Sequence, residues 1–398
     1  MSMAGLLTRA NKVLINNVRR FPVVFTRATG SRVYDAEQKE YLDFLSGIAV
    51  QAVGHSHPRI TAAIQQQAEK IIHVSNYFYL EEQIELAEKL ATLSGLDRVF
   101  FCNSGAEANE AAIKLARKYG RQQLGGKYEI ISAYDSFHGR TFGALAATGQ
   151  PKYQESFRPL PAGFRYAPFN NLQAWEEAIS ERTCALLLEL VQGEGGVNPI
   201  SPDFLKGLAE ICRQKQILLI FDEVQTGLGR TGKYFAWQHL GIKPDILTSA
   251  KALGEGVPIG AMLASEKIAT AFQPGDHSTT VGGGGLAFSV GLEVLRIMEE
   301  ENLPIRASHL GQELIALFQK WQNEIPIIKE VRGWGLLLAL ELSIPVQPIV
   351  LKCFERGLLI NAVAPKAIRL LPALNIEQQD LEEGLRILKQ VLMETAEE

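Results

Sequence analysis

An acid and a lysine, Asp222 and Lys251, have the most chemistry to offer in this chain. Asp222 closes the apolar run 217–221, which reads as a fully buried strand, so its carboxylate stands at the strand's carboxyl end. In open α/β sheets that edge is where ligands bind. Lys251 follows downstream among small residues, in TSAKALGEGVPIGAM. A strand-end acid can hold a proton on a ring nitrogen, and a lysine nearby can form a Schiff base with a carbonyl. Together the two roles describe pyridoxal phosphate chemistry, in which a conjugated ring takes up electrons. Most strand-end acids cap and most lysines lie in solvent, so the pair draws its weight from the motifs around it.

Four further segments carry polar groups at useful spacing. CNSGAEANEAAIKLARKYG joins a strand end to a helix through Ser104, Gly105 and Ala106, where free N–H groups and the helix dipole suit a phosphate. An ordinary N-capped helix has the same appearance. STTVGGGG offers Thr280 as a second phosphate contact beside glycines 282–285, or else a flexible surface loop. SFHGRT brings Phe137, able to cover a flat cofactor, and Arg140, able to fork onto a carboxylate; a core phenylalanine and a surface arginine are the plainer alternatives. His138 between them earns no more than a stacking or capping role. ELVQGEGG carries Glu189 and Glu194, and we pair Glu194 with Arg369, the one charged residue in AIRLLPAL, as a gate or as a structural ion pair.

Two motifs are set aside. GLGRTG, residues 227–232, has the GxGxxG form of a nicotinamide dinucleotide site, but DEVQT separates it from the strand and no clean helix start follows. It reads as a turn, which disfavours a dehydrogenase. His55 and His57 in GHSHPRI have no acid or cysteine at ligand spacing, so a turn before a helix is expected and no metal site.

The elements that must position these residues alternate. Helical spacing at 85–93 precedes a strand at 98–101 and a strong helix at 104–119. Apolar strands follow at 128–133, 185–191 and 217–221, with PDFLKGLAEICRQ a helix between the last two. That alternation means an α/β fold with a mostly parallel sheet flanked by helices. After about residue 286 come a long helix (LAFSVGLEVLRIMEEEN), amphipathic helices, a strand pair around 331–341 and a charged helix from Gln378, as in a smaller α+β domain. The hairpin near 32–44 is expected to pack with it. The division is residues 1–50 as N-terminal arm and part of the small domain, 51–285 as large domain, and 286–398 as C-terminal small domain.

Composition excludes several classes. With 46% hydrophobic and 21% charged residues the chain is an ordinary globular protein, and a net charge of -4 argues against nucleic acid and anionic membranes as partners. No apolar run approaches the ~18 residues of a membrane span. Cys102, Cys184, Cys212 and Cys353 are far apart, so neither disulfides nor zinc are signalled and a reducing setting fits. Arg9, Lys12, Arg19, Arg20, Arg27 and Arg32 precede the first acid, which overlaps with a transit-peptide pattern, but they run straight into a hairpin-like segment. The cytoplasm is the expected location.

In order and spacing the motifs YLDFLSGIAV, GHSHPRI, FFCNSGAEANEAAIKLARKYG, SFHGRT, VQGEGG, FDEVQTGLGRTGK and the Lys251 segment resemble the class III pyridoxal-phosphate-dependent aminotransferases, nearly end to end, and most of all the branch acting on acetylornithine. The resemblance implies a fold-type I transferase and a homodimer with shared active sites. It implies that Lys251 is the Schiff-base lysine and proton shuttle, and that Asp222 holds the pyridinium proton. Glu223, Val224 and Gln225 would contact the cofactor, Phe137 would stack on it, Ser104, Gly105 and Ala106 would cradle its phosphate, and Thr280 would reach the phosphate of the neighbouring subunit. Arg140 and Thr279 would bind N-acetylornithine, and Arg369, gated by Glu194, would bind glutamate or 2-oxoglutarate. Ornithine, succinylornithine, 4-aminobutyrate and acetyllysine-type donors stay open, as does a non-catalytic cofactor-binding role. The chain departs from the family pattern at Leu190, Thr279 and Gly284, which loosens the expectation for Thr279 and the glycine loop.

Overall fold

A computed structural model describes residues 2–397. Its centre is a seven-stranded sheet of β1 (Arg98–Cys102), β2 (Glu129–Ala133), β3 (Phe164–Ala167), β4 (Thr183–Leu188), β5 (Leu218–Asp222), β6 (Ile246–Ser249) and β7 (Gly260–Ala264). The spatial order is β1-β7-β6-β5-β4-β2-β3, with β7 antiparallel to both neighbours and every other pairing parallel. Strands β2, β4, β5, β6 and β7 are buried along their whole length, as a sheet covered on both faces requires. The apolar runs at 128–133 and 217–221 reappear as β2 and β5. The run at 185–191 ends earlier, at Leu188, because Glu189 turns its carboxylate onto the amides of Phe137 and Gly193. Val191–Gln192 then forms a separate two-stranded ribbon with Asn198–Pro199.

Helix α1 (Gly105–Gln123) lies across this sheet on a face of small residues, Ala108, Ala111, Ala112 and Ala116, which lets backbone approach backbone. Ser104 caps it, its Oγ accepting from the Glu107 amide at 3.2 Å. Register sets the chemistry. Asp222 at the end of β5 stands opposite Thr248 of β6, and Lys251 follows just beyond. The carboxyl ends of β1, β2, β4, β5 and β6 therefore deliver Ser104, Phe137 with His138, Glu189, Asp222 and Lys251 to one edge.

A four-stranded antiparallel sheet of Ile328–Trp334, Leu337–Leu342, Ala367–Leu370 and Asn361–Ala364 carries Arg369 opposite Ala339. The N-terminal strands Phe25–Thr29, Arg32–Asp35 and Glu40–Asp43 form another sheet, completed by the parallel Leu358–Leu359. Arg32 ties that hairpin to helix Gln378–Glu397 through Asp380 at 2.6 Å. Helix Gly285–Glu300 packs against Pro58–Lys70 and Glu81–Ser94, fixed by Arg59 on Glu293 at 2.5 Å. Gly284 is its N-cap and offers no side-chain bond there. His57 caps Pro58–Lys70 and His55 pairs with Asp43 at 2.8 Å. Among the described residues, no group of three or more His, Cys, Asp or Glu side chains could hold a metal, and no helix is long and apolar enough to cross a membrane.

Candidate active site

The sheet edge opens into a cavity of about 500 Å³ whose lining includes Ser104, Gly105, Ala106, Phe137, His138, Arg140, Glu189, Glu194, Asp222, Val224, Gln225 and Lys251. Asp222 is its most constrained acid. Oδ2 accepts from Asn109 Nδ2 and faces His138 Nδ1, each at 2.7 Å, while Oδ1 accepts from the Val224 amide at 3.0 Å. A carboxylate so surrounded by donors is held as an acceptor. Asn109 is fixed in turn: its Oδ1 accepts from Thr248 and its Nδ2 also donates to the His138 carbonyl at 2.7 Å.

Lys251 begins a short 3₁₀ turn at φ +46° and points one flank into the cavity. Burial pushes its pKa down to about 8; the charges of Glu194, Asp222 and Glu189 oppose that, and Arg369 reinforces it. Bringing the pKa down toward physiological pH raises the share of neutral amine, the form that attacks a carbonyl. Glu189 is pushed up to about 7 by burial, with Asp222 adding to the shift and His138 opposing it. Its oxygens accept from Phe137 N–H at 3.0 Å and Gly193 N–H at 3.2 Å.

The residues present fit pyridoxal phosphate. The first turn of α1 offers free amides to a phosphate, and a side chain at Gly105 would meet Val224 Cγ1 at 2.6 Å, filling the cradle. His138 Nε2, fully buried beside Asp222, has no hydrogen-bond partner within the protein. An acid, a lysine and an anion cradle thus share one space large enough for a flat heterocycle.

Arg369 is fully buried. Its Nη1 meets Glu194 at 2.6 Å, the Gly193 carbonyl at 3.0 Å and Gln225 Oε1 at 3.1 Å, and its Nε reaches Asn361 at 3.3 Å. Burial works to raise the Glu194 pKa, but the charges of Arg369 and Lys251 and the hydrogen bonds outweigh it and hold the carboxyl low. Arg140 is exposed at the rim, its guanidinium 3.8 Å from the Tyr153 ring centre and 5.1 Å from that of Phe137.

Some expected residues lie elsewhere. Glu223 does not line the cavity: its carboxylate accepts from the amides of Ala236 and Trp237 and from Thr226, and burial lifts it to about 7. Arg369, Thr279 and Thr280 are also outside the lining, Arg369 standing behind Glu194. Thr279 Oγ1 accepts from Asn103 and from Gly282 N–H, and Thr280 is exposed. The glycine loop is packed, because a side chain at Gly283 would meet Phe288 at 2.5 Å. GLGRTG forms a turn, with Leu228 and Gly229 at positive φ. Asn109 and Tyr153 escape the sequence reading, and His138, expected only to stack or cap, instead pairs with Asp222. An asparagine amid the buried alanines of α1 was the available signal for the first.

The family profile described as Aminotransferase class-III matches residues 14–392. Two full-length relatives are acetylornithine aminotransferases. That of Methanocaldococcus jannaschii is 48% identical, over 99% of each chain. That of Caldanaerobacter subterraneus is 46% identical, over 98% of this chain and 99% of the other. Among solved structures, ornithine aminotransferase from Toxoplasma gondii superposes with a TM-score of 0.96 at 33% identity, covering 100% of this chain and 96% of that one. Acetylornithine aminotransferase from Elizabethkingia anophelis gives 0.88 at 34%, covering 99% and 100%.

Proposed function

The chain belongs to the class III aminotransferases, pyridoxal-phosphate-dependent enzymes, and from that premise we propose that it moves the terminal amino group of N-acetylornithine to 2-oxoglutarate in arginine biosynthesis. The products are N-acetylglutamate semialdehyde and glutamate, formed in two half-reactions that share one site. The observation that carries the choice of donor is the Glu194–Arg369 pair, with Glu194 facing the cavity and Arg369 buried behind it, and Arg140 stacked on Tyr153 at the rim, in a chain whose full-length relatives bear the acetylornithine name.

When bound, pyridoxal phosphate supplies an aldehyde for the amine and a ring that stores the electron pair released as the neighbouring C–H bond breaks. Asp222 would keep a proton on the ring nitrogen, and Asn109 and His138 hold that carboxylate in line. Lys251 Nζ would take the proton from the substrate carbon bearing nitrogen and hold it for return. The amides at Gly105 and Ala106 would hold the phosphate, and Phe137 and Val224, which also line the cavity, would cover the ring. With Glu194 on Arg369, the acetylornithine carboxylate goes to Arg140 and its terminal amine reaches Lys251. With that pair broken, Arg369 takes one carboxylate of 2-oxoglutarate.

The active form we propose is a homodimer in the cytoplasm. Tyr77, Phe78 and Tyr79 are 91%, 66% and 87% exposed, and Asn76 beside them bonds the Thr279 carbonyl at 2.5 Å. A second copy over this surface would cover the aromatics and bring Thr280 to its partner's phosphate. Sedimentation of a fully active monomer would remove this part. The four cysteines are buried and unpaired, as suits a reducing compartment.

The test is the visible absorption of the cofactor-loaded protein on adding one amine at a time without keto acid. Acetylornithine should bleach it and 2-oxoglutarate restore it, with no response in Lys251→Ala. Bleaching by ornithine, succinylornithine or 4-aminobutyrate alone would move the donor. No response to any amine would overturn the aminotransferase reading for this site.

A further inference from the structure

The turn at 227–232 holds a cation the reaction does not use. Arg230 is fully buried, and burial pushes its pKa down to about 10. No carboxylate bonds it. Nη1 donates instead to two carbonyls of the C-terminal part, Leu336 at 3.1 Å and Pro372 at 2.6 Å, and Nη2 has no partner in the protein. The Arg230 carbonyl accepts in return from the Leu336 amide at 2.9 Å.

Backbone fits backbone here. Gly335, at φ +55°, could carry no side chain, since a Cβ would meet Thr231 C at 2.5 Å and Arg230 O at 2.6 Å. Leu336 enters the strand Leu337–Leu342, and Pro372 follows the neighbouring strand Ala367–Leu370, which carries Arg369. On the other side, the 227–232 turn continues directly from Gln225, whose Oε1 accepts from Arg369 at 3.1 Å. Arg230 and Gln225 thus grip the Arg369 strand from one short stretch of chain. A buried guanidinium without a bonded counter-ion is costly, and apolar packing can fill such space at no loss of stability. What the rigid, planar guanidinium adds is a fixed position for Nη1 between two acceptors.

We propose that Arg230 is a positioning residue for the dicarboxylate half-reaction, setting where Arg369 stands against Gln225 and Glu194. This rests on the donor and acceptor assignment above. Arg230 touches neither substrate nor cofactor. Its loss lets the Arg369 strand shift relative to the cavity, while Asp222, Lys251 and Arg140 stay on elements it does not hold.

The test compares Arg230→Met, which keeps the stem and loses every donor, with Arg230→Lys, which keeps the charge and loses the fork. Both are assayed as holoenzymes beside the wild type, following the absorption change in each half-reaction and the thermal unfolding. The expected result in Arg230→Met is an apparent Kd for 2-oxoglutarate and for glutamate raised about tenfold or more. Acetylornithine should stay within about threefold and the cofactor spectrum unchanged. Arg230→Lys should fall between, and it decides the matter if Arg230→Met does not fold. Equal losses in both half-reactions, or no loss in either, would overturn the inference. A wild-type enzyme inert toward acetylornithine would instead sink the donor assignment. The Arg230 comparison then stands on whichever amine the wild type accepts.

Discussion

Glu194→Gln removes one charge from the cavity and little else. In the wild type, Glu194 meets Arg369 at 2.6 Å with its side chain 26% exposed, so the ~3–5 kcal/mol of breaking a fully buried pair overstates its worth. Glutamine keeps an acceptor for the same N–H. The change is from a charge-assisted bond of ~1.5–3 kcal/mol to a neutral one of ~0.5–1.5 kcal/mol. The loss is about 1–1.5 kcal/mol, or roughly five- to tenfold in an equilibrium constant. A dicarboxylate must displace Glu194 to use Arg369, so 2-oxoglutarate and glutamate should bind about five- to tenfold tighter in the variant. Acetylornithine brings a cationic amine toward Lys251, where Arg369 is then left without its counter-charge, and should bind weaker by a similar factor. The ratio of the two apparent Kd values moves by about 25- to 100-fold. Single-turnover absorption titrations of each half-reaction measure that ratio. Parallel losses in both, or weaker binding of 2-oxoglutarate, would refute the gate.

In cofactor-free protein, the rate of pyridoxal phosphate uptake should climb as pH rises through about 8, because only the unprotonated Lys251 amine is nucleophilic; a profile flat from pH 6 to 9 would contradict that burial. Gly105→Ala drives a methyl against Val224 Cγ1 at 2.6 Å, an overpacking of ~1–3 kcal/mol, and equilibrium dialysis should show cofactor affinity down about tenfold. Unchanged affinity would separate the start of α1 from the phosphate. Glu255, pushed up to about 8 by burial that outweighs the opposing pull of the Val53 and Ala52 amides and of Arg230, retains in the fold a proton that the unfolded chain releases near its ordinary 4.5. Its contribution to stability is full below pH 4.5, is lost as pH rises to about 8, and is flat above. Glu255→Gln should therefore lose less melting temperature than wild type between pH 5 and 8, and identical slopes would reject this.

Features that depend on neighbours along the chain were legible from the residues alone. An apolar run ending in Asp222, Ser104 before an alanine-rich helix and the turn-forming glycines at 227–232 each carry their own local instructions. So the parallel α/β sheet and the edge holding Asp222 and Lys251 could be read before any coordinates. The strands Phe164–Ala167, Ile246–Ser249 and Gly260–Ala264 could not, the first two being short and the last, rich in small residues, continuous with the glycine-rich loop before it. Glu223 was assigned to the cavity with its neighbours, although the pleat sends successive side chains to opposite faces and turns it onto the amides at 236 and 237. Alternation was the signal there. Other roles had little or none. Asn109, His138 and Asp222 meet through hydrogen bonds between a helix, a loop and a strand end far apart in sequence, and Arg230 owes its partners to a separate sheet. Charge partners and pKa shifts arise from desolvation and from distances that only folding creates. The sequence by itself determined which groups were available; the tertiary structure decided which of them share a dielectric and a cavity.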